Sequence, residues 1–280
     1  MKFSIFLNDK QKVRDIWWVI IFYFVLAAIT FPVILLSQHF KFDVTMMHQA
    51  VIVVMASWIC QSFRRKPFSG LVGALKVDWI RNFCIGILMG SALMAIPSFF
   101  LFVFTGVRWQ IQTMDLQSLL SVTLLFIGVA IAEEFLFRGF AFQRLMCSIG
   151  EWPAQIIIAG YFLLTHINNP GMTGNIKIFA SINIFLASIM FGLAFIRTKS
   201  LSMPLGIHFM ANWVQGVALG FGVSGNEETN LLKPVFNGAP DWITGGAFGL
   251  EASVPGLISV IITIILLYRW KPGRGPIANT

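Results

Sequence analysis

About eight windows of almost uninterrupted apolar sequence fix what this chain can become. Each is as long, or nearly as long, as the roughly 20 residues an α-helix needs to cross bilayer hydrocarbon. They fall near 16–37, 47–63, 83–105, 117–137, 153–168, 178–196, 202–222 and 253–269. Inside lipid every backbone N–H and C=O must be satisfied within its own segment, so these windows are expected as helices. The second and fifth are short, which leaves tilted or re-entrant segments open for them. Hydrophobic residues make up 57% of the 280 and charged residues only 11%, against about 25% charged in soluble domains. No soluble fold hides that much apolar surface. The expected architecture is an all-α, polytopic transmembrane helix bundle of about eight spans, a single membrane domain over 1–280. No internal repeat, coiled coil or low-complexity tract interrupts it.

The charges sort by side. In a soluble chain the net charge of +8 would raise nucleic acid as a partner, but here the basic residues lie in short clusters between apolar windows. Placing the N-terminus inside puts Lys2, Lys10, Lys12 and Arg14 inside, followed by Arg64, Arg65, Lys66, Lys76 and Arg81. Arg144, then Arg197 and Lys199, then Arg269, Lys271 and Arg274 continue the inside set, whereas the outside loops hold only Lys41, Arg108, Lys177 and Lys233. The bias alternates without a break and predicts two cytoplasmic termini. The expected location is a bacterial cytoplasmic membrane, with the lipid bilayer as partner and no nucleic acid. The first apolar run is too long for a signal-peptide core and has no small-residue cleavage site, so it is expected to remain as an anchor. Cys60, Cys84 and Cys147 form neither a disulfide framework nor a CxxC pair and read as small hydrophobes. The longest stretch outside the windows, 223–252, reads as an ordinary connecting loop over the outer face, with tight turns at Gly245–Gly246 and Phe248–Gly249.

Ionisable groups within spans are costly and are functional candidates by default. Glu133 and Glu134 lie in the fourth window, His166 ends the fifth, and His208 and Asn212 lie in the seventh. His39 and His48 fall at a loop and a span boundary and carry no such signal. Glu134 and Arg138 are four residues apart, share a helix face and can pair. Glu133 is rotated by about 100° and can address a different partner. His208 and Asn212 also share a face. Phe162 sits one turn before His166 and can wall its pocket. Structural pairing explains Glu134 with Arg138, and interhelical hydrogen bonding explains any one His or Asn. The whole set is better explained by one shared polar site.

Three motifs now stand in order on separate spans. Glu133-Glu134-Phe-Leu-Phe-Arg138 resembles the EExxxR motif of the CAAX-protease and bacteriocin-processing family of intramembrane proteases. Phe162-Leu-Leu-Thr-His166 resembles its FxxxH motif, and His208-Phe-Met-Ala-Asn212 its HxxxN motif. The run from Phe191 to Pro204 is also similar to the segment before the last motif. The likeness covers roughly 115–225 as a catalytic core, leaving the first three spans and the C-terminal loop without a signature. It implies an intramembrane endopeptidase acting on a membrane-embedded or membrane-adjacent peptide, whether prenylated or of leader type.

Amide hydrolysis needs an activated water, a proton for the leaving amine and donors for the oxyanion. Glu133 is the expected general base, His166 shares the water or shuttles the proton, and His208 and Asn212 donate to the oxyanion. Glu134 and Arg138 support Glu133, and Phe162 supports His166. The family is often described as metalloproteases, and a zinc ion, if bound, would take Glu133, His166 and His208. Those residues come from three spans without an HExxH pair, and Asn212 is a poor zinc ligand, so metal-free catalysis with no required cofactor is preferred. Two other readings stand beside the protease: a scaffold that regulates other membrane proteins, and a proton-relaying transporter, disfavoured by the lack of inverted repeats. Helix counting also raises a difficulty. Glu133 and His208 lie shallow from the cytoplasmic side, whereas His166 lies deeper by on the order of 10 Å if its span begins at Trp152. A site opening toward the cytoplasmic leaflet is expected.

Overall fold

A computed structural model describes residues 5–7 and 12–270, so Lys2, Lys10, Lys271 and Arg274 of the charge count lie outside the described residues. The elements in chain order are α1 (Asp15–Phe40), α2 (Met46–Phe63), the single turn α3 (Ser69–Val72), α4 (Val77–Phe104), β1 (Arg108–Ile111), α5 (Leu116–Phe137), α6 (Phe140–Ile149), α7 (Glu151–His166), α8 (Gly174–Thr198), α9 (Ser202–Trp213), β2 (Leu232–Val235), the short α10 (Asp241–Thr244) and α11 (Val254–Arg269). A π-type turn over Val214–Ala218 extends α9. Every apolar window coincides with a helix. Five helices are long and apolar enough to cross a membrane, one of them the α5–α6 run over Leu116–Ile149, and α11 is a shorter apolar helix. The helices start where the chain supplies caps. Thr45 and His48 form a capping box on α2, Asp115 accepts from the Ser118 N–H at 2.7 Å on α5, and Ser253 accepts from the Gly256 N–H on α11.

Cross-links between helix ends show which ends share a side. Asp15 at the start of α1 pairs with Arg144 of α6 at 2.9 Å and approaches Arg64 at the end of α2. Lys199 after α8 pairs with Glu151 at the start of α7, and Arg197 donates to the carbonyls of Leu267 and Tyr268 at the end of α11. The basic clusters therefore gather at one end of the bundle.

The depth mismatch at His166 resolves through α6. The chain runs on past Glu133 to the end of α5 and, beyond the corner at Gly139, through α6 to Ile149. Helix α7 then climbs about 22 Å back to His166, which returns it to the level of Glu133. The fifth span thus begins well beyond the level of Glu133 rather than beside it. Gly139 makes the corner between α5 and α6, where a Cβ would meet the carbonyl of Phe135.

Helix α9 is set by α4. A Cβ on Gly86 would strike the Met203 carbonyl, one on Gly90 the Ile207 carbonyl, and one on Gly206 the Phe83 carbonyl. In lipid, where apolar burial against a neighbour gains little over burial against acyl chains, such small residues let backbones approach and van der Waals packing hold them. The Gly86-x-x-x-Gly90 spacing thereby fixes the helix that carries His208 and Asn212.

Three features depart from expectation. A two-stranded antiparallel ribbon joins β1 to β2, with Arg108 opposite Val235 and Ile111 opposite Leu232, adding a small sheet to an otherwise all-α chain. The 223–252 stretch is no ordinary connector: it folds inward, burying Phe248, Leu250 and Ala252, with Gly245 (φ 84°) and Gly249 (φ 107°) at its turns. Both glycines approach backbone so closely that a side chain has no room, Gly249 against the Gly222 carbonyl. Of the cysteines, Cys60 is a buried hydrophobe as expected, whereas Cys84 and Cys147 are exposed.

Candidate active site

The last turns of α5 present two carboxylates in different directions. Glu134 and Arg138 are both 0% exposed, and Arg138 Nη1 donates to Glu134 Oε1 at 3.1 Å. Arg138 Nη2 donates to the Ser188 hydroxyl at 2.9 Å and to its carbonyl at 3.2 Å. The guanidinium is held between the rings of Phe162 and Phe191, 4.9 Å from each centroid. Glu134 Oε1 also accepts from His208 Nδ1 at 2.7 Å. A carboxylate only accepts, so Nδ1 of His208 carries the proton and Nε2 points the other way.

That other way is Glu133. His208 Nε2 stands 3.7 Å from Glu133 Oε2, and His166 Nε2 stands 3.9 Å from Glu133 Oε1. His166 is oriented by the same logic: its Nδ1 donates to the Phe162 carbonyl at 2.8 Å, which leaves Nε2 free to face the carboxylate. Aromatic rings brace both imidazoles. Phe191 stacks on His208 at 4.8 Å and 18°, and Phe162 packs on His166 at 4.4 Å. Both imidazoles thus converge on one carboxylate at separations too long for direct hydrogen bonds.

Glu133, His166, His208 and Asn212 line one cavity of about 350 Å³, and Phe162 forms part of its wall. Val129 and Leu125, one and two turns before Glu133, continue the α5 wall, and Met46 and Asn226 also border the cavity. The cavity therefore extends toward the starts of α2 and α5 and the 223–252 segment. The opposite direction, toward the basic cluster, is plugged by buried Leu71, Phe135, Phe137 and Phe140. The cavity thus runs away from the basic end of the bundle, because the chain beyond Glu133 packs into a solid core.

The structure brings all seven expected residues together. It also adds groups that a search for charged or His residues in spans passes over. Ser188 and Phe191 of α8 clamp Arg138, and Asn183 of α8 lines the cavity. Uncharged polar residues inside the sixth window were the available signal for Asn183 and Ser188. Glu251, in the loop before α11, also lines the cavity, accepting from the Ser224 N–H, the Ser224 hydroxyl and Gln215 Nε2. Burial pushes the Glu251 carboxyl above the ordinary glutamate range, partly offset by its bonds to Ser224, and burial likewise raises Glu228 at the cavity margin. Nothing local in the sequence announces that Glu251 returns to the site, since its placement depends on how the whole loop folds.

Residues 115–214 match the family model of the type II CAAX prenyl endopeptidase Rce1-like proteins. No curated protein matches the chain. The matched segment begins at the cap of α5 and ends at the close of α9, and so contains Glu133, Glu134, Arg138, Phe162, His166, His208 and Asn212. Residues 115–214 of this integral membrane protein are an Rce1-like domain of the CAAX-protease family.

Proposed function

We propose that the chain is an intramembrane endopeptidase in which Glu133 activates water against a peptide bond. The observation that carries this reading is the convergence of both imidazole Nε2 atoms on the two oxygens of Glu133, at 3.7 and 3.9 Å. A water about 2.8 Å from both atoms of either pair closes a triangle on those separations, so the gap suits a bridging nucleophile.

In the proposed reaction, Glu133 takes a proton as the water oxygen attacks the carbonyl carbon. His208 Nε2–H and the Asn212 amide donate to the oxyanion, which is where fixed donors in a dry site contribute most. Charge balance supports a protonated His208. Glu133 and Glu134 together need two cations in low dielectric, and Arg138 is one. Neutral His166, oriented by the Phe162 carbonyl, accepts a hydrogen bond from the water at Nε2, and the proton taken up by Glu133 passes through that Nε2 to the leaving amine as the C–N bond breaks, which regenerates the Glu133 carboxylate. Glu134 and Arg138 touch no reacting atom and act as positioning residues for His208.

Glu133, His166 and His208 are also the ligand types of a zinc site. Ligands about 2.0–2.1 Å from a tetrahedral ion lie about 3.3 Å apart, closer than the separations here. The separations at Glu133 thus favour a water over a metal ion. Cleavage that is lost to a chelator and restored by zinc would reverse this preference.

The substrate class follows from the domain and the cavity together: a membrane-embedded or membrane-adjacent peptide, prenylated or of leader type. Residues 1–280 form one membrane domain of about eight spans, in which α7, α9 with its π-type turn, and α11 complete the five long helices. Both termini lie in the cytoplasm, the basic end of the bundle faces inward, and the membrane is a bacterial cytoplasmic membrane. Comparative proteomics of membrane peptides from wild-type and Glu133→Ala cells tests the function. Peptides that accumulate uncleaved in the variant are expected. Identical peptide profiles, with full biological function in Glu133→Ala and His208→Ala cells, would favour the scaffold reading instead.

A further inference from the structure

The cavity has a second polar end that the proposed hydrolysis does not use. Asn183 is 3% exposed and lines the cavity, and its Nδ2 donates to the Glu251 carbonyl at 2.5 Å. Its Oδ1 is buried without a hydrogen-bond partner. Glu251 presents its carboxylate to the same cavity, held by neutral donors only: Ser224 N–H at 3.2 Å, Ser224 Oγ at 3.0 Å and Gln215 Nε2 at 3.0 Å. No ion pair to Glu251 occurs among the described residues. The cavity wall also carries Glu228 and no Lys or Arg.

One buried acceptor, Asn183 Oδ1, lacks a donor, and in the same cavity stands a carboxylate whose hydrogen bonds all come from neutral groups. A purely structural latch does not need the charge, because a glutamine could bond Ser224 and Gln215 equally well. A carboxylate desolvated without a paired cation is costly, and no Lys or Arg lines the cavity beside it; His166 lies within electrostatic reach but makes no ion pair with it. We propose that Asn183 and Glu251 form a specificity subsite for a basic group of the substrate peptide, a lysine or arginine side chain near the scissile bond. The subsite rests on the peptidase reading and deepens it. The ammonium or guanidinium donates to Glu251 and to Asn183 Oδ1, and the carboxylates along the wall draw it in. The free amino terminus of a peptide offers the same chemistry and is separated by the test.

The test uses full-length protein in proteoliposomes and fluorogenic peptides carrying lysine, arginine, norleucine or glutamate at each position around the cleaved bond. Each peptide is made with a free and an acetylated amino terminus. At one position the wild type is expected to prefer lysine over norleucine by roughly tenfold in kcat/KM, the scale of a charge-assisted hydrogen bond. Glu251→Gln should bring that ratio close to one, and acetylation should leave it intact. A wild-type ratio near one at every position overturns the subsite, as does a ratio unchanged in Glu251→Gln. A preference abolished by acetylation overturns the side-chain assignment. Fluorescence anisotropy of the lysine and norleucine peptides on Glu133→Ala protein reads the subsite without turnover. Equal affinities there overturn it even if the wild type cleaves. A lysine preference in binding with no cleavage by the wild type would instead fault the peptidase reading alone.

Discussion

The buried Arg138–Glu134 pair allows a quantitative prediction. Both side chains are 0% exposed, and the guanidinium lies 4.9 Å from the centroids of Phe162 and Phe191. Arg138→Met leaves Glu134 buried with His208 Nδ1–H as its remaining partner and removes both ring contacts. Breaking one partner of a buried pair costs about 3–5 kcal/mol, and the lost ring contacts place this variant toward the upper end. Glu134→Leu leaves Arg138 uncompensated and is expected to cost about as much. The double variant removes both charges and fills similar volume. Its residual penalty is chiefly the orphaned His208 Nδ1–H, about 1–3 kcal/mol. Stability should therefore recover in the double variant, with a coupling energy of about 3 kcal/mol or more. Activity should stay lost in Glu134→Leu and in the double variant, because His208 has lost the acceptor that orients it. Denaturant unfolding in detergent, followed by fluorescence of the 9 tryptophans, measures each leg of the cycle. Single-variant losses that add to within about 0.5 kcal/mol would refute the idea that the pair acts as a unit.

Other outcomes are equally specific. Gly90→Leu should force α4 from α9, because a Cβ there meets the Ile207 carbonyl and the Ala211 amide nitrogen, and activity should fall together with thermal stability. Retained activity would show that α9 is positioned by something else. Asn212→Ala should lower kcat by about 10²–10³ with little change in KM, as expected of a group that donates only to the oxyanion; a rise in KM alone would assign it to ground-state binding. The raised carboxyl of Glu251 takes up its proton more readily folded than unfolded, so its ionisation opposes folding as pH rises above about 4.3. The melting temperature of Glu251→Gln should therefore gain on the wild type from acid toward neutral pH, and a constant difference across that range would contradict the burial argument.

The helices were legible because lipid leaves the backbone few choices, and each apolar window became a helix. The three motifs were legible because a Glu, His or Asn inside a span stands out against its neighbours. The Gly86-x-x-x-Gly90 clasp was open to the same reading, but its meaning depended on which helix lay opposite. The corner at Gly139 decides the depth of His166, and no periodicity marks it within the apolar Phe135–Phe142 run. The inward fold of 223–252 was hidden for a different reason. Its polar, glycine-rich composition reads as a loop, and only tertiary contacts such as Asn183 to the Glu251 carbonyl bring it into the cavity. The direction of the cavity is hidden for the same reason, since it depends on where the core is solid.

The central claim is that Glu133 activates the attacking water. The direct measurement is cleavage of a membrane-embedded peptide by purified wild-type and Glu133→Gln protein in proteoliposomes, with unfolding monitored in parallel. Glutamine keeps the size and polarity of the side chain but cannot take the proton. The account predicts a fall in kcat of about 10²–10⁴ with the fold and peptide binding retained. A Glu133→Gln protein that cleaves within about threefold of the wild type, well short of that fall, would contradict it.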